Sequence, residues 1–369
     1  MPEDLEAVAE TLRSGWLTQG PRTLEFEAAF AAQLGCAHGV AVSNCTAALH
    51  LAYLAAGVGP GDEVIVPAYT FAATAAAVLY CGGTPVFADI YGLHDLSIDP
   101  ADVAAKITPR TKAVAAVHFA GYPAPVAELR ALCDEHGLAL IEDAAHAPSA
   151  TVGGRKLGTF GLAGCFSFFS NKILPVGEGG LLATDDDAVA ELARRRRSHA
   201  MTSGTWERHT GETDTYDVAA LGFNYRIDEP RAALALARLG RLEEDIAQRR
   251  ALTRRYRELL ADVEGLTIPF SDAQIDMSSC YVMPVMVEDP AARGPVRIAM
   301  RERHGVQTSL FYPSTHHFTA YRERFGEISL PQTELASATE ITIPLYPHLT
   351  GDDQGRVVTA LRTELERAS

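Results

Sequence analysis

The chain has 369 residues, of which 47% are hydrophobic and 21% charged. These are globular values, and they exclude a chain that is disordered, collagen-like or coiled-coil as a whole. The length predicts about two domains of about 100–200 residues each. The 32 Lys and Arg against 47 Asp and Glu give a net charge of −15. Because such a chain repels a polyanion, we expect no nucleic-acid partner, although a local pocket can still bind a small phosphorylated ligand.

The first fifteen residues are acidic and amphipathic, unlike a signal peptide. No stretch reaches about 18 uninterrupted apolar residues. We therefore expect a cytoplasmic protein with no membrane partner. The six cysteines form no C-x-x-C pair, and no H-E-x-x-H motif is present. Neither a disulfide framework nor a metal site is predicted.

Short apolar runs alternate with Ala-rich helical stretches from about residue 38 to residue 200, which predicts an α/β fold with a mainly parallel sheet. The predicted strands are Gly39–Val42, Glu63–Val66, Pro85–Asp89, Ala113–Phe119, Leu138–Glu142, Cys165–Phe169 and Gly180–Ala183. The helical stretches between them are Thr46–Ala56, Phe71–Tyr80, Val126–His136 and Asp187–His199.

A second, smaller unit is predicted toward the C-terminus. The charged run Ile227–Leu260 has helical spacing and predicts one long connecting helix. After it, Cys280–Glu288 and Gln307–Tyr312 alternate as strands, and Asp352–Ala368 is amphipathic. We therefore divide the chain into a large domain with its connecting helix, residues 1–260, and a small α+β domain, residues 261–369.

Polar and aromatic residues follow four of the predicted strands, where ligands bind in an open parallel sheet. Thr46 begins a helix after the first strand, and the N-terminus of a helix can bind an anion. Phe71 follows the second strand, Asp143 ends the fifth, and Lys172 lies between the sixth and a Gly-rich loop. Taken singly, each has an ordinary explanation as a helix cap, a core aromatic, a solvated turn or a surface lysine.

Taken together, these four features are the parts that hold pyridoxal phosphate. A lysine forms an aldimine with the cofactor aldehyde. A carboxylate keeps the pyridine nitrogen protonated, an aromatic ring stacks on the cofactor, and the helix N-terminus binds the phosphate. The sequence therefore predicts this cofactor.

Four blocks carry a family resemblance: residues 59–90, GPGDEVIVPAYTFAATAAAVLYCGGTPVFADI; 140–147, LIEDAAHA; 165–180, CFSFFSNKILPVGEGG; and 221–239, LGFNYRIDEPRAALALARL. With them, the chain resembles the DegT/DnrJ/EryC1/StrS sugar aminotransferases over nearly its whole length. These are fold-type I pyridoxal-phosphate enzymes, so the resemblance implies a seven-stranded, mainly parallel sheet in a large domain and a smaller C-terminal domain. The sequence departs from the family at Asn44-Cys45, where Ser-Gly is common, and at Phe311, where a histidine often precedes the tyrosine.

The resemblance also implies a role for each matching residue. Lys172 forms the aldimine and moves protons, Asp143 contacts the pyridine nitrogen, His146 contacts the phenolic oxygen and Phe71 stacks on the ring. The implied phosphate ligands are Thr46, Ala47, Ser167 and, reaching the neighbouring subunit's cofactor, Asn224. The expected assembly is therefore a homodimer with shared active sites. Candidate substrate contacts are Tyr225, Arg226, Tyr312 and His316.

The predicted reaction moves an amino group from an amino acid such as glutamate to a nucleotide-linked keto-sugar, through pyridoxamine phosphate (PMP). Two alternatives stay open: an aminotransferase for a keto-cyclitol, and a non-catalytic regulatory protein that binds the cofactor.

Two segments invite other interpretations. The run Arg194–Arg197 is interpreted as the solvated end of a helix and not as a nucleic-acid patch. Asn224 follows the polar segment His199–Ala220, a predicted loop, and the alternative to a shared site is that Asn224 caps a helix of its own subunit.

Overall fold

The computed structural model describes residues 1–368. Within that range no helix is both long and apolar enough to cross a bilayer. Seven strands form the central sheet, and all seven agree within two residues with the predicted ones. Across the sheet, the strands lie in the order His38–Val42, Gly180–Thr184, Ala163–Ser167, Ala139–Asp143, Thr111–Val117, Glu63–Pro67 and Thr84–Ala88.

Strand direction places the candidate residues at one edge of this sheet. Gly180–Thr184 runs antiparallel to both of its neighbours, and the remaining pairs are parallel. The carboxyl ends of six strands therefore point the same way, and the loops that follow them gather above that edge. The prediction of a mainly parallel seven-stranded sheet is confirmed.

Helices cover both faces of the sheet and pack around the C-terminal strands. The α-helices are Pro2–Ser14, Pro21–Leu34, Cys45–Ala55, Ala73–Tyr80, Pro100–Ala105, Val126–His136, Asp187–Arg196, Thr205–Thr210, Glu229–Leu239, Leu242–Leu260, Pro290–His304, Thr319–Phe325, Pro331–Thr339 and Gly351–Ala368. Two hydrophobic clusters enclose the central sheet, and a third lies among the C-terminal elements. The domain boundary after residue 260 stays a prediction, and Ser369, the end of the second range, lies outside the described residues.

The predicted single helix over Ile227–Leu260 is wrong, because two helices occupy this run. The first ends at Leu239 and the second begins at Leu242. Gly240 lies at the break, where its low helix propensity favours an end. Arg238 and Arg241, on either side of it, both bind the carboxylate of Asp4 (2.9 and 2.7 Å), which fixes the break against the N-terminal helix.

The predicted strand Gln307–Tyr312 is also wrong. A three-stranded antiparallel sheet forms here from Leu266–Thr267, Met283–Val287 and Glu340–Ile343, and Ser309 adds only an isolated bridge to Thr342. The backbone of Phe311 forms hydrogen bonds with side chains and not with a neighbouring strand. Its N–H donates to Glu340 Oε2 (2.9 Å), and its C=O accepts from the Tyr69 hydroxyl (2.5 Å). The alternating pattern therefore reflects a loop held by buried side chains.

The segment after the fourth arginine is more ordered than predicted. The polar residues 199–220 contain the short helix Thr205–Thr210, whose Trp206 ring packs edge-on against Trp16 with centroids 4.9 Å apart. The arginine run is not wholly solvated either. Arg197 is only 3% exposed, pairs with the buried Glu27 and donates to Ala41 O (2.6 Å). Arg197 therefore holds the end of helix Asp187–Arg196 against the first strand.

Candidate active site

A cavity of about 520 Å³ opens above the carboxyl edge of the sheet, and the loops after four strands, together with Val117 at the end of a fifth, contribute to its wall. Seven of the predicted site residues line it: Thr46, Phe71, Asp143, His146, Ser167, Lys172 and Tyr312. The other five predicted site residues do not line it: Ala47, Asn224, Tyr225, Arg226 and His316.

Lys172 projects into this cavity from a turn after strand Ala163–Ser167. Its backbone N–H donates to Phe169 O (2.9 Å), which holds the turn closed. The ammonium nitrogen lies 4.5 Å from the centre of the Tyr281 ring, within cation–π range. Burial lowers the pKa of Lys172 to about 8, with Asp143 and Cys45 acting in the opposite sense. Roughly a tenth to a fifth of this amine is therefore neutral near physiological pH, far more than for a free lysine.

The two acids at the end of strand Ala139–Asp143 face opposite sides of the sheet, as side chains alternate along a strand. Glu142 is fully buried away from the cavity, where it binds His118 Nε2 (3.0 Å) and the N–H groups of Gly158 and Gly161 (2.7 Å each). Asp143 faces the cavity. The alternation thus gives Glu142 a structural position and leaves Asp143 for a ligand.

Thr74 orients the Asp143 carboxylate. Its hydroxyl donates to Asp143 Oδ2 (2.7 Å) and also contacts the Thr70 hydroxyl (2.9 Å). The other carboxylate oxygen accepts from the N–H of Ala145 (3.2 Å). Burial raises the pKa of Asp143, and these two hydrogen bonds oppose the rise. A cation held beside Asp143 would therefore find an oriented carboxylate with few competing partners.

His146 lies between two tyrosines. Its ring stacks on Tyr281 (centroids 4.4 Å apart), and its Nε2 is 2.9 Å from the Tyr312 hydroxyl. Burial, and secondarily Lys172, lowers the pKa of His146 well below its ordinary value, so the ring is neutral. Its buried Nδ1 has no hydrogen-bond partner among the described residues. A buried nitrogen without a partner is costly, and it points to a ligand atom.

The helix Cys45–Ala55 begins at the cavity. Asn44 caps it by accepting from the Ala47 N–H (2.8 Å), so the residue that replaces the family's usual serine supplies the cap. The Ala47 N–H, a predicted phosphate donor, is thus already bonded. Thr46 and Ser167 face the cavity beside this helix end, whose first N–H groups have no partner within the helix.

Phe71 is not a core residue. Its side chain is 60% exposed at the cavity, with its ring 5.9 Å from the ring of Tyr312. An exposed aromatic ring at the wall of a cavity is available to stack on a flat ligand. The alternative that Phe71 packs into the core is wrong.

The predicted residues outside the cavity have distinct surroundings. Asn224 is exposed and forms a backbone bridge with Ser198. The cap of helix Glu229–Leu239 is Asp228, which accepts from Arg231 N–H (3.0 Å), so the helix-cap interpretation of Asn224 is wrong. The Tyr225 hydroxyl forms a hydrogen bond with Nδ1 of His50 in the same chain (3.0 Å).

Two residues of the site escaped the sequence analysis. Tyr281 comes from the segment before strand Met283–Val287, far along the chain from Lys172, and no pattern links the two. Thr74 lies in the first turn of helix Ala73–Tyr80, where a threonine has no distinctive signal.

These residues fit pyridoxal phosphate. The cofactor has an aldehyde, a pyridinium nitrogen, a phenolic oxygen, a flat ring and a phosphate. The cavity offers a matching group to each, in the same order: the Lys172 amine, the Asp143 carboxylate, the unpartnered His146 Nδ1, the exposed Phe71 ring and the helix N-terminus at Thr46.

Comparisons with known proteins agree. Residues 1–362 match the model of the DegT/DnrJ/EryC1/StrS aminotransferase family. The spore coat polysaccharide biosynthesis protein SpsC of Bacillus subtilis (strain 168) is 38% identical to this chain, and the match covers 98% of this chain and 94% of SpsC. The crystal structure of NtdA from Bacillus subtilis with its cofactor PMP has a TM-score of 0.89 at 28% identity, over 99% of this chain and 82% of NtdA.

A third protein, DesI, was crystallised in the presence of its TDP-sugar product. Its TM-score is 0.87 at 35% identity, over 99% of this chain and 90% of DesI. The predictions of the fold class, of an aminotransferase and of pyridoxal phosphate as cofactor are confirmed. The chain belongs to the DegT/DnrJ/EryC1/StrS aminotransferase family.

Proposed function

We propose that this protein transfers the amino group of an amino acid, glutamate in the first instance, to the keto group of a nucleotide-linked sugar. The observation that carries the proposal is the pairing of Lys172, an amine whose pKa is lowered to about 8, with the buried Asp143 in one cavity. A regulatory protein that only binds the cofactor has no use for a poised proton carrier. When bound, pyridoxal phosphate carries the amino group and accepts electrons through its ring.

Lys172 then acts as the base and acid of both half-reactions. Once its amine is free, it takes a proton from the carbon of the donor and returns a proton to the carbon of the sugar. A base is most effective when its pKa lies near the working pH, and burial brings Lys172 close to that value. The Tyr281 ring stabilises the charged form of Lys172 and holds it inside the cavity.

The remaining residues of the cavity would hold the cofactor in place and balance its charges. Asp143, held by Thr74, would bind the protonated pyridine nitrogen. His146 would offer Nδ1 to the phenolic oxygen, and Tyr312 fixes the imidazole ring by its contact at Nε2. Phe71 would cover the cofactor ring, while Thr46 and Ser167 would bind the phosphate at the helix N-terminus.

Arg226 supports an anionic substrate. Its side chain has no hydrogen bond or ion pair with any described residue, and its Nη1 is buried. Burial, and secondarily Arg197, lowers the pKa of Arg226. A half-buried guanidinium without a counter-ion in a chain of net charge −15 favours a phosphorylated ligand. The relative DesI, with its TDP-sugar product, agrees in chemistry, whereas a neutral cyclitol leaves Arg226 without a partner.

A homodimer with shared sites is part of the proposal. Asn224 and Arg226 lie outside the cavity of their own chain, and Asn224 is exposed. Leu221, three residues before Asn224, is 87% exposed, which suits a contact covered by a second chain. The proposed role of Asn224 is to donate to the phosphate in the partner's cavity.

A substrate screen tests the reaction. The holoenzyme is incubated with glutamate and a panel of keto-sugar nucleotides, the same keto-sugars without nucleotide, and keto-cyclitols, with Lys172→Ala as the inactive control. We expect a product in which an amino group replaces the keto oxygen only from nucleotide sugars, detected by mass. Product from cyclitols alone would refute the substrate class. Cofactor binding without turnover of glutamate would refute catalysis.

A mixing experiment tests the shared site. Lys172→Ala and Asn224→Asp chains, each inactive alone, are allowed to exchange subunits. With shared sites, one site of each heterodimer carries both defects and the other carries neither, so activity returns. Homodimers of Lys172→Ala taken through the same exchange serve as the control. No recovery after demonstrated exchange would assign Asn224 to its own subunit.

A further inference from the structure

One group of metal-ligating side chains lies outside the active-site cavity. Among residues 1–368, His316, His317 and Glu334 are the three histidine, cysteine or acidic side chains whose ligand atoms all lie within 4.8 Å of one another. His316 and His317 belong to the short 3-10 turn Thr315–His317, and Glu334 lies in the first turn of helix Pro331–Thr339. The sequence analysis named His316 only as a candidate substrate contact and predicted no metal site, because adjacent histidines and a distant glutamate match no metal motif.

Hydrogen bonding explains this arrangement poorly. Glu334 Oε1 lies 3.4 Å from His316 Nε2 and 3.6 Å from His317 Nε2. Both distances exceed the range of about 2.7–3.2 Å for a good N–H···O bond. The short hydrogen bond of this oxygen is to the Leu330 N–H (2.8 Å), and its contact with His316 is at the long limit of a hydrogen bond. One carboxylate oxygen thus faces two imidazole nitrogens without a short hydrogen bond to either.

A metal ion accounts for the same distances. Zinc binds histidine nitrogen and carboxylate oxygen at about 2.0–2.2 Å in tetrahedral sites, so neighbouring ligand atoms lie about 3.3–3.6 Å apart. We propose that His316, His317 and Glu334 form a binding site for a single divalent transition-metal ion of the zinc type. Two imidazoles and a carboxylate leave the fourth position for water, on the side where His317 is 43% exposed.

The surroundings favour such an ion. Asp89 adds a second negative charge near His316 while it accepts from the N–H groups of Gln332 and Thr333 (3.1 and 2.7 Å), which fixes the helix that carries Glu334.

The ion would connect two elements next to the active site. Thr315, in the turn of the two histidines, donates its N–H to Ala68 O (3.0 Å) and its hydroxyl to Thr70 O (2.7 Å). Residues 68–70 lead directly to Phe71 in the cavity wall. Zinc at this site would therefore hold that turn against helix Pro331–Thr339 and stabilise the base of the loop, without contact to the reacting groups.

Metal titration tests the site on holoenzyme without a polyhistidine tag. Zn²⁺ is titrated by calorimetry, and Co²⁺ is followed by its visible absorption, which is intense in tetrahedral sites. His317→Ala removes an exposed ligand, and Glu334→Gln keeps an oxygen for its bond to the Leu330 N–H. His348→Ala, an exposed histidine of the same part of the chain, is the control.

We expect one Zn²⁺ per chain, a rise in Tm on adding it, and tetrahedral Co²⁺ bands. The zinc affinity should fall more than about tenfold in His317→Ala and in Glu334→Gln, and the Co²⁺ bands and the Tm rise should disappear. His348→Ala should bind as the parent does. No binding by the parent, or unchanged binding in His317→Ala, would overturn the proposal, the second result by placing the ion elsewhere, for instance on a cysteine.

Discussion

Replacing Lys172 by methionine should make the cofactor-free protein more stable at neutral pH, although it destroys the active site. The ammonium group is held in a cavity that lowers its pKa from 10.5 to about 8. Each pKa unit corresponds to about 1.4 kcal/mol, which gives about 3 kcal/mol for charging Lys172 in the folded state. Solvent in the open cavity reduces this figure, so we expect a gain of about 2–3 kcal/mol at pH 7.

The pH dependence identifies the cause. Between pH 8 and 10.5 the unfolded chain still binds a proton at this lysine and the folded chain has released it, so the stability of the parent rises with pH. The advantage of Lys172→Met is therefore full below about pH 8 and is lost by about pH 10.5. Groups away from the cavity titrate alike in both proteins, so the difference between them reports on Lys172 and on neighbours whose pKa values it lowers, Asp143 and His146 among them.

Urea unfolding of the two cofactor-free proteins at pH 7, 9 and 10.5 measures this difference. Lys112→Met, at an exposed lysine, is the matched control and should stay within about 0.5 kcal/mol of the parent at each pH. A Lys172→Met protein less stable than the parent at pH 7 would refute the reasoning. An equal gain at pH 7 and pH 10.5 would assign it to packing instead of charge.

Three further predictions concern other residues. Asp143→Asn should lower kcat severely and His146→Ala less so, because in the proposed function only Asp143 binds the ring nitrogen; equal losses in steady-state assays would contradict this order. Thr74→Val removes one hydrogen bond to a carboxylate, worth about 1.5–3 kcal/mol, and should lower single-turnover rates about 10- to 100-fold, whereas Thr74→Ser should restore them. Arg197→Met should cost about 3–5 kcal/mol in urea unfolding because it leaves Glu27 buried without its partner, whereas Arg195→Ala, at an exposed neighbour, should cost almost nothing.

The sequence predicts the part of the site that follows from strand direction. Thr46, Phe71, Asp143 and Lys172 each come soon after a strand, and parallel strands bring such residues to one edge whatever the details of packing. Tyr281 could not be predicted in this way. It reaches Lys172 from the C-terminal part of the chain, and its position depends on how the second set of elements packs against the first.

Two errors of the sequence analysis share a physical cause. The apolar alternation of Gln307–Tyr312 is real, but buried Glu340 and Tyr69 bind the backbone that a strand would offer to its neighbours. Arg197 belongs to a run that has the composition of a solvated helix end, yet the helix stops where Glu27 binds it. In both places buried side chains that are distant in sequence decide the local structure. Patterns within a window cannot contain that information.

The pair Glu142 and Asp143 illustrates how little separates a structural acid from a functional one. Both are buried, and they differ by one position on one strand. Glu142 meets an imidazole and two backbone N–H groups, which together satisfy its carboxylate. Asp143 meets one hydroxyl and one N–H, so burial still raises its pKa and part of its capacity to bind a cation is unused. The side of the sheet that holds the cavity therefore selects Asp143 as the acid that we propose for the cofactor, and its smaller number of hydrogen bonds distinguishes it from Glu142.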